Sequence, residues 1–171
     1  MGVNMAFKYT SDTFQISAGS IETAPNTLNT TTINMNLDSL SREILIIQYV
    51  DMDFAIGPDL VAGVTTRMTA ALTNANIGVT GLANGQTIAA SRLTIVNDGV
   101  MAVSFSDAEP RNGQQAEDVP LFVSATDDLF LSIIGSGNAA ALGNVQCRIY
   151  ARRAQATADT YAAILTSQFN S

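Results

Sequence analysis

The chain has 171 residues, a net charge of −7, 13% charged and 47% hydrophobic residues, one Cys, and no His or Trp. That length suits one domain, 1–171, because single cores run to about 100–200 residues. The lack of His removes Ser-His-Asp triads, Cys-His pairs and histidine metal ligands, and a lone Cys147 removes an internal disulfide, so the composition argues against an enzyme. The basic residues form no arm, with only Arg148, Arg152 and Arg153 clustered, which argues against direct nucleic-acid binding.

In chain order, Met1–Tyr9 within segment 1–11 reads as an edge strand or as an arm reaching a neighbour. Its opening, MGVNMAFKYTSD, lacks a basic and an apolar export region, so no secretory route is expected. Asp12–Ala18 alternates Phe14 and Ile16 with polar residues, a strand signature, and Gly19-Ser20 then punctuates the chain. Leu28–Leu37 places Ile33, Met35 and Leu37 on one face, with the β-branched run Thr30–Thr32 suiting a pleated surface. Asn29-Thr30-Thr31 forms a glycosylation sequon, discounted without an export route. Glu43–Val50 is apolar on both faces for its first half, which suits a central strand covered on both sides or an inter-subunit strand, and continues through Asp51 and Asp53 to Phe54.

Val64–Leu72 alternates again, with Met68, Ala70 and Leu72 sharing a face. Ile77–Leu82 and Thr87–Val96 flank Asn84-Gly85, a dipeptide that tolerates positive φ and predicts a hairpin. At Asn97-Asp98-Gly99 a three-residue loop with Gly99 at positive φ pairs Ile95 with Met101 and Leu93 with Val103, gathering the apolar residues on one face. Ser106–Asp118 is polar and reads as a surface loop. Pro120–Ser124 and Leu129–Ile134 follow as strands, and Gly135–Asn144 reads as a hairpin loop to the strand Val145–Arg153. On that last strand Cys147 shares the inner face with Val145 and Ile149, as a small buried hydrophobe, while Arg152-Arg153 reads as a solvated strand end.

Only the tail, 157–169, is helical in pattern. Thr157 or Asp159 caps a stretch in which Tyr161, Ile164, Leu165 and Phe169 recur at helical spacing, predicting a helix docked on the β-body. A helix exchanged with a neighbouring subunit is the lesser alternative.

Three motifs bear on chemistry. Gly135-Ser136-Gly137-Asn138-Ala139-Ala140 matches a dinucleotide fingerprint, but the following segment alternates as a strand where a crossover helix is required. Glu117-Asp118 and Asp127-Asp128 read as solvated loop pairs. Asp51 and Asp53 project to the same side of a strand and are the candidate Ca²⁺ ligands, carboxylates being hard oxygen donors, with a bridge between subunits in view. No segment has the ~18 apolar residues of a transmembrane helix. No catalytic residue and no other cofactor is expected.

Many short strands with regular turn signals and no alternating helices predict an all-β, antiparallel two-sheet sandwich, most simply a single eight-stranded jelly roll with a short C-terminal helix. The order of features (an irregular N-terminal segment, the long apolar strand EILIIQYVDMDF, successive hairpins, then DLFLSIIGSGN and VQCRIYARR) resembles single jelly-roll capsid proteins of small icosahedral viruses and phages. The resemblance spans most of the chain. It implies two four-stranded sheets, self-assembly into a capsid shell from copies packed side by side in capsomers, other virion proteins as further partners, and a place in the virion after synthesis in the host cytoplasm. One departure stands out: many such proteins carry a basic N-terminal arm, whereas Lys8 is the only basic residue before Arg42. The resemblance therefore places neutralisation of the genome elsewhere. The alternatives are a carbohydrate- or receptor-binding sandwich, with Tyr150, Asn or Asp residues in a loop-end pocket, and an exported pilus-like surface protein.

Overall fold

Alternating apolar and polar residues give each strand one face to bury, and two such sheets packed face to face satisfy them all. The computed structural model describes residues 7–55, 62–98, 100–107 and 120–169. Within these lie β1 (Phe7–Tyr9), β2 (Phe14–Ile21), β3 (Asn29–Asn34), β4 (Glu43–Ala55), β5 (Thr65–Thr73), β6 (Thr87–Asn97), β7 (Met101–Asp107), β8 (Phe122–Ser124), β9 (Asp128–Ser136), β10 (Asn144–Ala156) and α1 (Ala158–Phe169). One sheet runs β1-β10-β4-β8 with β2 also on β10, and the other runs β3-β9-β5-β6-β7.

The pairing is that of a jelly roll. β2 pairs β10, β3 pairs β9, β4 pairs β8 and β5 pairs β6, all antiparallel. These are the nested rungs of one long hairpin. Rolling it up closes the two sheets through β4 with β10 and β5 with β9. The eight strands of a jelly roll, β2 to β6 and β8 to β10, are all present, and β1 and β7 extend one sheet each. Leu45, Ile47 and Val50 of β4 meet Met68, Leu72, Leu93, Leu131, Ile133 and Ile149 in the core between the sheets. Burying each such side chain contributes roughly 1.5–3 kcal/mol.

A third layer covers part of the first sheet. Thr157 caps α1, its Oγ1 accepting from the Thr160 amide at 3.4 Å. Tyr161, Ile164 and Leu165 then pack on Ile44, Ile46, Ala154 and Ala156, with Phe7 and Tyr9 of β1 beside them. This explains why Glu43–Val50 is apolar on both faces: Leu45 and Ile47 point into the sandwich, Ile44 and Ile46 toward the helix. The buried Gln168 closes the layer against β8, its Nε2 donating to the Val123 carbonyl at 2.9 Å and its Oε1 accepting from the Ala125 amide at 3.3 Å. That side chain occupies backbone groups of a strand edge that would otherwise be open to pairing.

Several local expectations need correction. Ile77–Leu82 forms no strand. Both edges of β5 and of β6 are already taken by β9, β7 and each other, so the connection 74–86 has no partner and folds over the outer face. Asn84 makes a local turn instead, its Oδ1 accepting from the Gln86 amide at 2.9 Å. Between β6 and β7 the three-residue loop is as expected, but the register differs: Ile95 pairs Val103 and Leu93 pairs Phe105. Moving the loop by one residue shifts the pairing by two, which keeps every side chain on its face, so alternation does not distinguish the two registers. Gly99 itself lies outside the described residues, as do Glu117-Asp118 and most of the Ser106–Asp118 loop. Gly19 sits inside β2 rather than ending it. Gly135–Asn144 is no hairpin loop, because β9 and β10 belong to different sheets and the segment crosses between them.

Candidate functional site

The strand β4 carries an irregularity that divides its outer face. The pairing with β10 slips between Tyr150 and Ala151, so that Tyr49 pairs Tyr150 while Ile47 pairs Ala151, leaving Gln48 as the extra residue. A bulge of this kind reverses the parity of the strand. Before it, Ile44 and Ile46 face outward under α1. After it, Val50 and Phe54 turn inward and Tyr49, Asp51 and Asp53 face out. The helix and β1 cover the first half only.

The open half is a groove of about 590 Å³ lined by Ser17, Gly19, Asp51, Asp53, Gln146 and Arg148, among others. Its rungs are set by register. Gln15, Tyr150 and Tyr49 lie across one row, Ser17, Arg148 and Asp51 across the next, and Gly19, Gln146 and Asp53 across the third. The Tyr49 and Tyr150 rings stand 5.8 Å apart, centroid to centroid, tilted by 45°. Asp51 and Asp53 therefore share one side and one groove, as the sequence implies. Arg148 sits across from Asp51, and two carboxylates supply at most four of the six to eight oxygens Ca²⁺ takes. Among the described residues no group of three or more His, Cys, Asp or Glu is placed to hold a metal ion, and no helix is long and apolar enough to cross a membrane.

Other chemistry-bearing residues turn out to be structural. Arg153, expected at a solvated strand end, faces inward at the end of the sandwich. It pairs with Glu43 at 2.8 Å and donates to the carbonyls of Met35 at 2.8 Å and Asn36 at 3.2 Å, tying three segments together. Arg152 stacks over the Tyr9 ring, 3.7 Å from its centroid, and holds β1 down. Asp127 is not simply solvated either: its Oδ1 accepts from the Leu37 amide at 2.7 Å. Cys147 is buried as expected, and burial pushes its thiol up to about 11.

Glu22 is the residue sequence reasoning missed. It is 2% exposed, and its carboxylate accepts from the Gly135 amide at 2.6 Å and the Gly143 amide at 2.7 Å. Its own amide donates to the Gly143 carbonyl at 2.9 Å. Both ends of the crossing from β9 to β10 thus hang on one side chain. Gly137 lies between them at φ 77°, where a Cβ would run into the Thr65 carbonyl. The fingerprint glycines serve this crossing. Their spacing was visible in the sequence, but the partner lies more than a hundred positions away, and no local pattern announces it.

No protein-family model matches the chain, and no curated protein matches it. A solved structure of Bacillus endospore appendages, which form a family of disulfide-linked pili, is similar at 14% identity over 92% of this chain and 96% of that chain, with a TM-score of 0.31. At that score the likeness bears on neither fold nor function.

Proposed function

We propose that the chain is a structural subunit that assembles with copies of itself into a closed shell, as in the jelly-roll capsids it resembles, and that it is not an enzyme. The observation that carries this reading is the nested jelly-roll pairing, all eight strands in their places, in a chain with half the usual density of charge. The outer face of the second sheet presents Thr30, Thr32 and Thr94 with the exposed Ile134, Val96, Arg67 and Arg92, and surfaces made for subunit contact are likewise poor in Lys and Glu while keeping Arg. Assembly needs only modest contacts, since closed symmetry repeats each one many times. The net charge of −7 leaves the genome to other virion proteins.

Light scattering and negative-stain microscopy of the purified protein test this directly. Shells, rings or lattices are expected, formed more readily at high salt, where self-repulsion of the acidic chain is screened. A strict monomer across concentration, salt and Ca²⁺ sinks the shell reading.

A further inference from the structure

The groove beyond the β4 bulge has a composition that assembly does not call for. Its floor is flat where β2 contributes Gly19. A Cβ added there would meet only the Val145 carbonyl at 3.5 Å, an ordinary contact, so packing does not demand glycine at that place. What the missing side chain leaves is room. Around that room stand groups of every hydrogen-bonding type: Asp51 and Asp53 accept, Arg148 donates, and Ser17 and Gln146 do both. In the row next to Arg148 and Asp51, just beyond the groove's lining, stand the half-buried Tyr49 and Tyr150 rings, each an apolar body with a polar tip. The volume of about 590 Å³ falls in the range of small-molecule sites, roughly 300–1,000 Å³.

Each class of ligand can be weighed against these groups. A phosphate or a nucleic acid meets two carboxylates on a chain of net charge −7. A bare divalent cation finds two carboxylates with a guanidinium opposite one of them. An apolar molecule would desolvate Asp51, Asp53 and Arg148, and one guanidinium cannot pair both carboxylates. A sugar fits: each hydroxyl both donates and accepts, adjacent hydroxyls can bridge a carboxylate and a guanidinium, and the C–H face of the ring can lie on a tyrosine. We propose that this groove binds a glycan, with Asp51, Asp53, Gln146 and Arg148 reading its hydroxyls and the Tyr49–Tyr150 pair stacking on its ring. The site goes beyond the shell reading and does not depend on it, since a monomer presents the same face.

The test is binding of the intact protein to an array of neutral and sialylated oligosaccharides, followed by calorimetric titration of those retained. At least one glycan is expected to saturate at a single site. Asp51→Ala with Asp53→Ala, and separately Arg148→Ala, should each weaken it at least about tenfold, a loss of 1.4 kcal/mol. Gly19→Phe, which fills the groove at a place with space for a side chain, should abolish binding. Asp159→Asn on the helix should leave it unchanged. Circular dichroism confirms that each variant folds, and Gly19→Phe keeps the test alive if a charge variant does not. Retention of no glycan overturns the proposal, and so does binding that the groove variants leave intact. If the groove variants alter particle size by light scattering while no glycan is retained, the groove is a subunit contact and the glycan assignment is wrong.

Discussion

Replacing Glu22 by Ala should be among the most destabilising single changes in this chain. The carboxylate accepts two buried amides, Gly135 at 2.6 Å and Gly143 at 2.7 Å, and truncation leaves both without a partner in a place water does not reach. Hydrogen bonds to a charged group contribute roughly 1.5–3 kcal/mol each, and an orphaned buried donor costs about 1–3 kcal/mol. The two bonds share one side chain, so the losses overlap, and about 3–5 kcal/mol is the expected total. Against a whole-domain stability of about 5–15 kcal/mol this is a large fraction. Glu22→Gln should recover only part of it, because the amide oxygen can accept from one glycine while its NH₂ group faces the other donor to donor. Urea denaturation gives the stabilities, and native-state hydrogen exchange at the Gly135 and Gly143 amides gives the mechanism. If Glu22→Ala costs under about 1 kcal/mol, or if both amides keep their protection, the carboxylate is not what holds the crossing.

Three further outcomes are expected. Burial raises the Cys147 thiol from its usual 9.0 to about 11, so the unfolded chain releases this proton first. The contribution is intact below pH 9 and lost as pH rises toward 11, at about 1.4 kcal/mol per unit. Alkaline titration of the stability difference between the native protein and Cys147→Ala should show this slope, and a constant difference would refute it. Gly137→Ala, strained at φ 77° and blocked by the Thr65 carbonyl, should lower the thermal midpoint by several degrees, equivalent to about 1–3 kcal/mol; an unchanged midpoint would mean that the crossing relaxes freely. Truncation before Ala158 uncovers Ile44 and Ile46 and frees the Val123 and Ala125 backbone groups. The truncated chain should bind a hydrophobic dye and aggregate, whereas a dye-silent, non-aggregating product would show that the helix is dispensable.

Much of the fold was legible because strand alternation is local. Ile33, Met35 and Leu37 share their buried face as the sequence implies, and the two-sided burial of Ile44–Ile47 follows from four consecutive aliphatics. The capped helix at 157–169 was readable from its spacing for the same reason. So was the pairing of Asp51 with Asp53 on one side of a strand, since residues two apart must share a face in any sheet.

What the chain could not announce were relations between distant segments. The bulge at Gln48 decides that Tyr49, Asp51 and Asp53 share an open face while Ile44 and Ile46 are covered. It arises only when β10 is laid alongside. Ile77–Leu82 flanks a hairpin dipeptide and is not a strand, because both edges of its expected partner β6 are occupied by β5 and β7. The register of β6 on β7 was ambiguous because its two solutions put the same residues on the same faces. Glu22 and Arg153 look like surface charges until the roll closes, when one meets the glycine amides of the β9–β10 crossing and the other meets Glu43 and the carbonyls of Met35 and Asn36. Alternation of side chains is written residue by residue and needs only the local chain. Sheet membership, edge occupancy and the partners of buried charges depend on which strands meet, and that is decided by the closure of the whole roll.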